Sequence, residues 1–450
     1  MPRVFQKRCG ALNRHSRILT FLPTTAASAT EGLRIALLLC SFLSGVFIVR
    51  GQEALSAADH AFLDEVERAS FRFFWESARP ETGLVKDRSQ ADGQDTREVA
   101  SIAATGFGLT ALCIADERRF MPRGEVRNRV LATLRFLWDQ LPQEHGFYYH
   151  FINFRTGERL WKCELSSIDT GILLCGVLTC GQHFQEPAIR DLAKKIYERV
   201  DWAWMMAGRP WLSHGWKPES GFLKSSWDNY CELMMLYLLG MGSPTHPIPP
   251  ETWSAWKRPW FEYEGIRYVN PSAPLFIHQY SHAWFDFRGK RDAFTDYFEN
   301  SVLATKAHRL FCIRLRERFP HFGEDLWGIT ASDSARGYRA WGGPPEQDKL
   351  DGTLVPAAAG GSLSFLPREC ISVLRNMRDR FGERVWKRYG FVDAFNPETE
   401  WFAPDVIGID AGITLLMAEN ARSQFVWKTF MKNKDVQAGM ARAGFVSTAH

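Results

Sequence analysis

Two similar stretches decide the fold: Ile168–Leu174 (IDTGILL) and Ile409–Leu416 (IDAGITLL). In each, an acid and then a glycine lead into a run that is apolar on nearly every side. Such a run is typical of a helix that is buried all round. The likeness of the two starts also indicates that the chain repeats one structural unit.

Six helices of this buried kind are predicted. Their starts are separated by 53 to 74 residues and fall near Ser101, Asp169, Asp228, Ser281, Val355 and Asp410. Amphipathic helices, with one apolar stripe and charges elsewhere, lie between them. The clearest are Arg123–Asp139, Ala188–Met206 and Pro367–Phe381. Buried helices that alternate with amphipathic ones predict an all-α fold, an (α/α)6 toroid of six inner and six outer helices.

Short β-hairpins are expected near the cavity mouth of this toroid. Phe147–Cys163 and Gly265–Ile277 alternate aromatic and polar residues around Gly or Asn turns, which favours hairpins. No linker of domain-boundary length interrupts the chain after its amino-terminal segment. Residues 53–450 are therefore predicted to form a single domain.

The amino-terminal 52 residues are expected to lie outside that domain. The uncharged run Ile35–Val49, between Arg34 and Arg50, is typical of the apolar region of a secretory signal. It is short for a membrane-spanning helix, which needs about 20 apolar residues. Residues 1–52 are predicted to be an upstream extension plus a signal peptide, with an uncleaved membrane anchor as the alternative. The expected location is the periplasm or the outside of the cell.

Composition narrows the class of partner. Residues 1–50 hold seven Lys and Arg against one acid, which leaves 48 of the 55 basic residues and 50 of the 51 acids in the rest of the chain. Nucleic acid is therefore not an expected partner. The 33 Phe, 17 Trp and 11 Tyr offer many flat surfaces on which a sugar ring can stack. The cysteines show no spacing typical of zinc sites, so neither a metal nor a cofactor is expected.

Acids at the starts of inner helices are the candidates for chemistry. Asp169, Asp228 and Asp410 stand at predicted amino ends, and because the inner helices all run in the same direction, their carboxylates are expected to face one mouth of the toroid. The alternative for each is an N-cap that accepts a backbone N–H.

Glu232 is the strongest of these candidates. It lies four residues after Asp228, on the same face and one turn inside a helix that is otherwise apolar. Desolvation and the neighbouring acid would raise its pKa, as a general acid requires. Glycoside hydrolysis needs one protonated carboxyl group and one carboxylate beside the scissile bond. We therefore expect Glu232 to be the acid and Asp410 the base. The acids expected to support them are Asp169, Glu164, Asp228 and Asp351.

Further residues near the expected mouth are predicted to contact substrate, the aromatic ones by stacking on a pyranose and the polar ones by binding hydroxyl groups. For each aromatic residue core packing is the alternative, and His282 has a structural role as its alternative. The set is Asp87, Arg88, Trp227, Gln279, Tyr280, His282, Trp284, Asp286, Arg288, Trp341 and Trp401.

Several motifs together resemble a known family. They are Ser101–Gly108 (SIAATGFG), Ser166–Thr170 (SSIDT), Gly242–His246 (GSPTH), Tyr280–Asp286 (YSHAWFD), Gly328–Asp333 (GITASD) and Asp351–Thr353 (DGT). From roughly Phe62 to Phe430 the chain resembles the glycoamylase-like bacterial proteins of glycoside hydrolase family 144. The resemblance implies an (α/α)6 fold and an exported, anomer-inverting β-1,2-glucanase. It also implies that the carboxyl group of Glu232 is the acid and that of Asp410 the base.

Other functions remain open at this stage. A β-1,2-glucan transglycosylase would use the same fold, as would another (α/α)6 carbohydrate enzyme such as a lyase, which needs a Tyr or His base and an Arg. From a different class, the chain is compatible with a non-catalytic glycan-binding protein. Several acids at one mouth argue against that last alternative, because like charges held together are costly without a task.

Overall fold

The structure, a computed structural model, describes residues 55–345 and 349–448. The predicted signal segment Ile35–Val49 lies outside these residues. The helices are α1 (Ala57–Glu76), α2 (Ile102–Arg118), α3 (Arg123–Asp139), α4 (Ser167–His183), α5 (Pro187–Glu198), α6 (Trp202–Met206), α7 (Met234–Gly242), α8 (Thr252–Ala255), α9 (Tyr280–Trp284), α10 (Tyr297–Arg314), α11 (Pro356–Gly360), α12 (Pro367–Phe381), α13 (Gly408–Arg422), α14 (Phe425–Phe430) and α15 (Lys434–Arg442).

The strands between the helices are short. They are β1 (Arg88–Gln90), β2 (Val99–Ser101), β3 (Gln143–Glu144), β4 (Phe147–Tyr148), β5 (Phe151–Asn153), β6 (Leu165–Ser166), β7 (Gly215–Lys217), β8 (Gly221–Phe222), β9 (Trp260–Tyr263), β10 (Ile266–Val269), β11 (Lys290–Arg291), β12 (Ala331–Ser332), β13 (Arg339–Ala340), β14 (Trp386–Lys387), β15 (Gly390–Phe391), β16 (Phe395–Asn396), β17 (Trp401–Phe402), β18 (Asp405–Ile407) and β19 (Val446–Ser447).

The two predicted kinds of helix are both present. α2, α4, α7 and α13 are buried over almost their whole length. α3 and α12 bury one stripe and have the predicted bounds. The single helix predicted over Ala188–Met206 is wrong, because the chain breaks between α5 and α6. There Asp201 accepts a hydrogen bond from the N–H of Trp204 and starts a new helix.

The buried helices lie side by side. α2 packs between α4 and α13, α4 also contacts α7, and α13 also contacts α11 and α9. At the start of α9, Ser281 Oγ donates to the carbonyl oxygen of Glu232 and accepts from Met235 N, while Gln279 Nε2 donates to the carbonyl of Ala358 in α11. These neighbour relations lead from α2 through α4, α7, α9, α11 and α13 back to α2.

Three of the six predicted inner helices differ from expectation. α9 and α11 have five residues each. α7 begins at Met234 and not near Asp228. The reason lies in the backbone, since Asp228 O accepts from Lys257 N and Tyr230 N donates to Lys257 O. Backbone groups paired with another segment are not available for a helical turn.

The strands β2, β6 and β18 end where α2, α4 and α13 begin, so these short sheets lie at the amino ends of buried helices. The hairpin predictions are correct in part. The hairpin near Gly265 is formed by β9 and β10, residues 260–269, rather than by Gly265–Ile277. Within Phe147–Cys163, an antiparallel bridge between Ile152 and Arg159 forms a short hairpin, while β4 pairs with β3 and β5 pairs with β2.

One cluster of buried hydrophobic side chains extends from Phe62 to Ala443. Within residues 55–345 and 349–448, no helix is both long enough and apolar enough to cross a membrane.

α2 and α4 approach so closely that their backbones touch. A Cβ atom on Gly176 would lie 2.1 Å from the carbonyl oxygen of Gly106. We expect Gly176→Ala to lower the free energy of unfolding by about 1–3 kcal/mol, the usual cost of overpacking, as measured by urea unfolding. The control is Gly124→Ala in α3, where a Cβ would meet nothing within 4 Å and which should raise it by about 0.5–1 kcal/mol. Equal effects of the two changes would contradict the close packing.

Candidate active site

Asp169 and Asp410 occupy equivalent positions, because each is the third residue of its helix, α4 or α13. Neither is an N-cap. The cap of α4 is Ser166, and Ile407 precedes α13 without a side-chain hydrogen bond. Neither carboxyl group therefore has the helix-capping role that was the alternative for each.

Asp169 is part of a charged group at the start of α4. It accepts a hydrogen bond from Ser166 Oγ, and its Oδ2 lies 3.6 Å from His150 Nε2. His150 Nδ1 lies 3.3 Å from Glu164 Oε1. Burial alone would lower the pKa of His150, but Asp169 and Glu164 raise it to about 9. Burial would raise the pKa of Glu164, but the hydrogen bond and charge of His150 lower it to about 2. His150 and Glu164 therefore form an ion pair at neutral pH.

Asp410 is paired with a second buried acid, Asp393. Asp393 Oδ1 and Asp410 Oδ2 are buried without another hydrogen-bond partner, and each carboxyl group affects the pKa of the other. Asp393 Oδ2 accepts from the N–H of Asp333 at 2.7 Å. Burial raises the pKa of Asp410 to about 7. Burial and the charge of Asp410 raise the pKa of Asp393 well above its usual value. The pair therefore shares one proton near neutral pH.

Glu232 lies in the turn directly before α7 and not inside a helix, as was predicted. Burial raises its pKa to about 7, and the charge of Asp169 contributes. The acid that affects Glu232 is thus Asp169 rather than Asp228. The expected cause, burial together with a neighbouring acid, is therefore the one found, with Asp169 in the place of Asp228.

Tyr280 is affected by both Glu232 and the Asp393–Asp410 pair. Burial and then the charges of Asp410 and Glu232, among others, raise its pKa well above the ordinary value. Arg88 donates to Asp333 Oδ2 at 2.7 Å and to Asp87 Oδ2 at 3.1 Å. We call the following residues the acidic cluster: Asp87, Glu164, Asp169, Glu232, Asp333, Asp393 and Asp410.

Three predicted substrate contacts are instead sealed in the core. His282 and Gln279 have no exposed surface, and neither does Trp284. His282 Nε2 lies 3.0 Å from Ser301 Oγ, and burial lowers its pKa to about 3. Trp284 Nε1 donates to Thr110 of α2. These side chains pack the inner helices together, so their assignment to substrate binding was wrong.

Asp286 and Arg288 are also misplaced by the sequence analysis. They pair with each other at 2.8 Å, and Arg288 donates to Gln424, just past the carboxyl end of α13. Asp410 lies at the amino end of that helix, about 20 Å away at 1.5 Å per residue. Neither residue can contact a sugar bound at the acidic cluster.

The remaining predicted residues have varied partners. Asp351 accepts from the N–H of Thr353, and the carboxylate of Asp228 accepts from Asn229. Trp227 and Trp341 are each 5% exposed, and their indole N–H groups donate to Ser167 and Ser332. Ser167 lies two residues before Asp169 and Ser332 directly before Asp333, so both indoles contact segments that carry acids of the cluster. Trp401 is half-buried in β17.

Four residues of the site were missed from the sequence: His150, Asp333, Tyr338 and Asp393. Burial raises the pKa of Tyr338 well above its usual value, with the charge of Asp410 next in importance. A signal existed for Asp393, a lone acid in Tyr389–Phe395 (YGFVDAF), and for Asp333, which ends the stretch Gly328–Asp333. An acid among apolar residues is a sign of a buried charge with a task. Tyr338, in a loop between two short strands, gave no signal.

In the part of the chain that the structure describes, no group of three or more His, Cys, Asp or Glu side chains is arranged to hold a metal ion.

Comparison with known proteins bears on this site. Residues 224–434 match the glycoamylase family model, described as "Putative glucoamylase". A solved structure from Bacteroides uniformis with the same description is 31% identical, with a TM-score of 0.79 over 88% of this chain and 99% of that one. The chain belongs to the glycoamylase family, and the resemblance to glycoside hydrolase family 144 is confirmed. Its mainly helical fold is the glycoamylase-like fold of the solved structures that it matches.

Two further relatives carry functional names. The chain is 30% identical over 423 residues to an exo-β-1,2-glucooligosaccharide sophorohydrolase (non-reducing end) of Parabacteroides distasonis, a match that covers 85% of this chain and 58% of that protein. An endo-β-1,2-glucanase of Chitinophaga pinensis, solved with sophorotriose and glucose, is 27% identical, with a TM-score of 0.80 over 88% of this chain and 99% of that one.

The shared proton of Asp393 and Asp410 should make stability depend on pH. Because folding raises the pKa of the pair, the folded state binds more protons than the unfolded chain between about pH 4 and 7, and stability falls as pH rises through this range. Asp393→Asn should remove up to about 1.4 kcal/mol per pH unit of this slope, as measured by urea unfolding at several pH values. Asp379→Asn, at an exposed acid of α12, should leave the slope unchanged. Parallel curves for the wild type and Asp393→Asn would contradict the shared proton.

Proposed function

We propose that this protein is a glycoside hydrolase that cleaves β-1,2-glucan. The observation that carries the proposal is the placement of Glu232 and Asp410, two carboxyl groups with raised pKa values, around Tyr280 in one acidic cluster. The linkage is supported by the β-1,2-glucan-acting relatives from Parabacteroides distasonis and Chitinophaga pinensis.

Glu232 is proposed as the general acid. Glycosidic bond cleavage requires a proton on the leaving oxygen, and a carboxyl group with a pKa near 7 carries that proton at neutral pH. Its carboxyl group is only partly exposed, while its backbone is fixed by the hydrogen bond from Ser281 Oγ at 2.8 Å. The acid is thereby held in one place at the start of α7.

Asp410 is proposed as the base that accepts the proton of the attacking water. Because Asp393 and Asp410 share one proton, one carboxyl group of the pair stays ionised near neutral pH, and we assign this role to Asp410. Arg88 donates to the carboxylate of Asp333, and the N–H of Asp333 donates to Asp393. These contacts fix the position of the pair. A base that activates water and an acid on the opposite side of the bond give inversion of the anomeric carbon, which is the outcome we propose.

Two finer points belong to the same proposal. First, the circular order of contacts through the six buried helices supports a closed toroid with the acidic cluster at one mouth. Second, the uncharged run Ile35–Val49 supports export to the periplasm or beyond, or attachment to a membrane through that run. Sequencing the amino terminus of the exported protein tests this point, since an end at Met1 in soluble protein would contradict signal cleavage.

A lyase reaction fits the site less well. It needs a Tyr or His that accepts a proton and an Arg that binds an acidic sugar. Burial raises the pKa values of Tyr280 and Tyr338 well above the usual value, so both phenol groups stay protonated at neutral pH and little phenolate is present to accept a proton. Arg88 is already bound by Asp87 and Asp333.

The function is tested with purified protein and linear β-1,2-, β-1,3- and β-1,4-glucans. We expect release of sophorose-type products from the β-1,2-glucan alone, with inverted anomeric configuration in NMR spectra recorded during the reaction. Retained configuration would contradict inversion, and longer products than the substrate would indicate transglycosylation. Unsaturated products would indicate a lyase, while binding without products would indicate a glycan-binding protein.

Glu232→Gln should lower kcat on β-1,2-glucan by about 100-fold or more, because an amide cannot supply the proton. In the wild type, kcat/KM should fall as pH rises above about 7, where Glu232 loses its proton. The control is Glu117→Gln, at an exposed acid near the carboxyl end of α2, which should keep full activity. Near-normal turnover of a folded Glu232→Gln protein would remove Glu232 from the mechanism.

Asp410→Asn should cause a loss of turnover of the same order, since the amide cannot accept a proton from water. The comparison variant is Asp169→Asn, which changes the equivalent residue of α4. If Asp169→Asn lowers kcat more than Asp410→Asn, the base is Asp169 and the assignment moves to α4.

A further inference from the structure

Trp161 is an exposed aromatic side chain next to the acidic cluster. Its side chain is 55% exposed, whereas most large aromatic residues in the described ranges are buried. It lies in the loop that leads into α4, three residues before Glu164.

The backbone that carries Trp161 is strained. Trp161 and Lys162 both have left-handed conformations, with φ of 53° and 51°, which are unfavourable for residues other than glycine. Such strain persists only where the surroundings hold it in place, and it concentrates at functional sites.

The surroundings of the loop supply that support. Lys217 Nζ donates to the carbonyl oxygen of Lys162 at 3.0 Å, and Leu160 N donates to Phe151 O at 3.0 Å. On the far side, Arg159 binds Glu219 through two hydrogen bonds. The indole is thus held outward in a fixed position, with little conformational freedom to lose when a ligand binds.

Ring contacts connect Trp161 with the acidic cluster. Its ring centroid lies 5.3 Å from that of Phe151, and Phe151 stacks on His150 at 3.9 Å. His150 in turn lies 3.6 Å from Asp169. Trp161 therefore stands at the rim of the cluster, beyond the residues that would surround the reacting bond.

We propose that Trp161 forms an outer sugar-binding position, where a glucosyl unit of a long glucan chain stacks the apolar face of its ring on the indole. This inference rests on the proposed function. Indole offers a flat, largely apolar surface, and a pyranose presents C–H groups on one face. A short oligosaccharide that occupies only the positions around the reacting bond does not reach Trp161, so the contact favours long chains.

The experiment compares Trp161→Ala and Trp161→Phe with the wild type on β-1,2-glucans of increasing length. For Trp161→Ala we expect KM for long chains to rise about tenfold, with kcat within about twofold and KM for the shortest cleaved oligosaccharide unchanged. Trp161→Phe, which keeps a flat ring, should retain most of the affinity. Equal KM changes for long and short chains, or none, would overturn the proposal.

The control variant is Phe294→Ala. Phe294 is 42% exposed and contacts Arg258, and its loss should leave the dependence of KM on chain length as in the wild type. The same dependence in Phe294→Ala as in Trp161→Ala would overturn the proposal, since the effect would then follow from losing any exposed ring.

Failure of the proposed function can be told apart from failure of this inference. If the wild type cleaves β-1,2-glucan but Trp161→Ala shows no length-dependent change, only the outer position is wrong. If the wild type cleaves no β-1,2-glucan, the function is wrong. The intrinsic fluorescence change on adding the long glucan is then compared between the wild type and Trp161→Phe, and no difference overturns the outer position.

Discussion

The close approach of the buried helices is the constraint on which the candidate site depends. Where α2 crosses α4, Gly106 and Gly176 leave no room for a Cβ atom. The glycines of the two repeated stretches serve the same purpose, because a Cβ on Gly171 would meet Leu236 of α7 and one on Gly412 would meet Phe107 of α2. These glycines lie two residues after Asp169 and Asp410. Contacts that fix the first turn of each helix therefore also fix the direction of its acid.

Within the acidic cluster, burial and neighbouring charges give carboxyl groups of the same chemical type different pKa values. Glu164, beside the protonated His150, has its pKa lowered to about 2 despite burial. Burial raises the pKa of Glu232 to about 7, and the negative charge of Asp169 adds to the effect. The same kind of side chain is thus kept ionised at one point and protonated at another, which is the condition for acid and base catalysis in a single site.

Apolar patterns were the most reliable part of the sequence. Runs that are apolar on nearly every side predicted the buried helices α2, α4 and α13, and stripes of period 3.6 gave the bounds of α3 and α12. The likeness of the two repeated stretches placed Asp169 and Asp410 in equivalent first turns. The helix prediction failed where backbone pairing competes with helix formation, as at Asp228–Tyr230, whose backbone forms hydrogen bonds with Lys257.

The aromatic motif Tyr280–Asp286 was misleading because Trp and His residues in a packed core cannot be told from those in a binding site by sequence. Only the three-dimensional contacts distinguish the two. Asp393 stood out only as a lone acid among apolar residues, because nothing in its spacing from Asp410 shows that folding pairs the two side chains.

The strands β2, β6 and β18 each end one residue before a buried helix starts. The chain thus separates a rigid scaffold, made of helices locked by backbone contact, from the segments that precede it and border the acids. Insertions or exchanges in those preceding segments can reshape the surroundings of the reacting bond without disturbing the helices. We therefore expect relatives that differ in substrate preference to differ mainly in these preceding segments. The glycines of the helices should tolerate little change over evolutionary time.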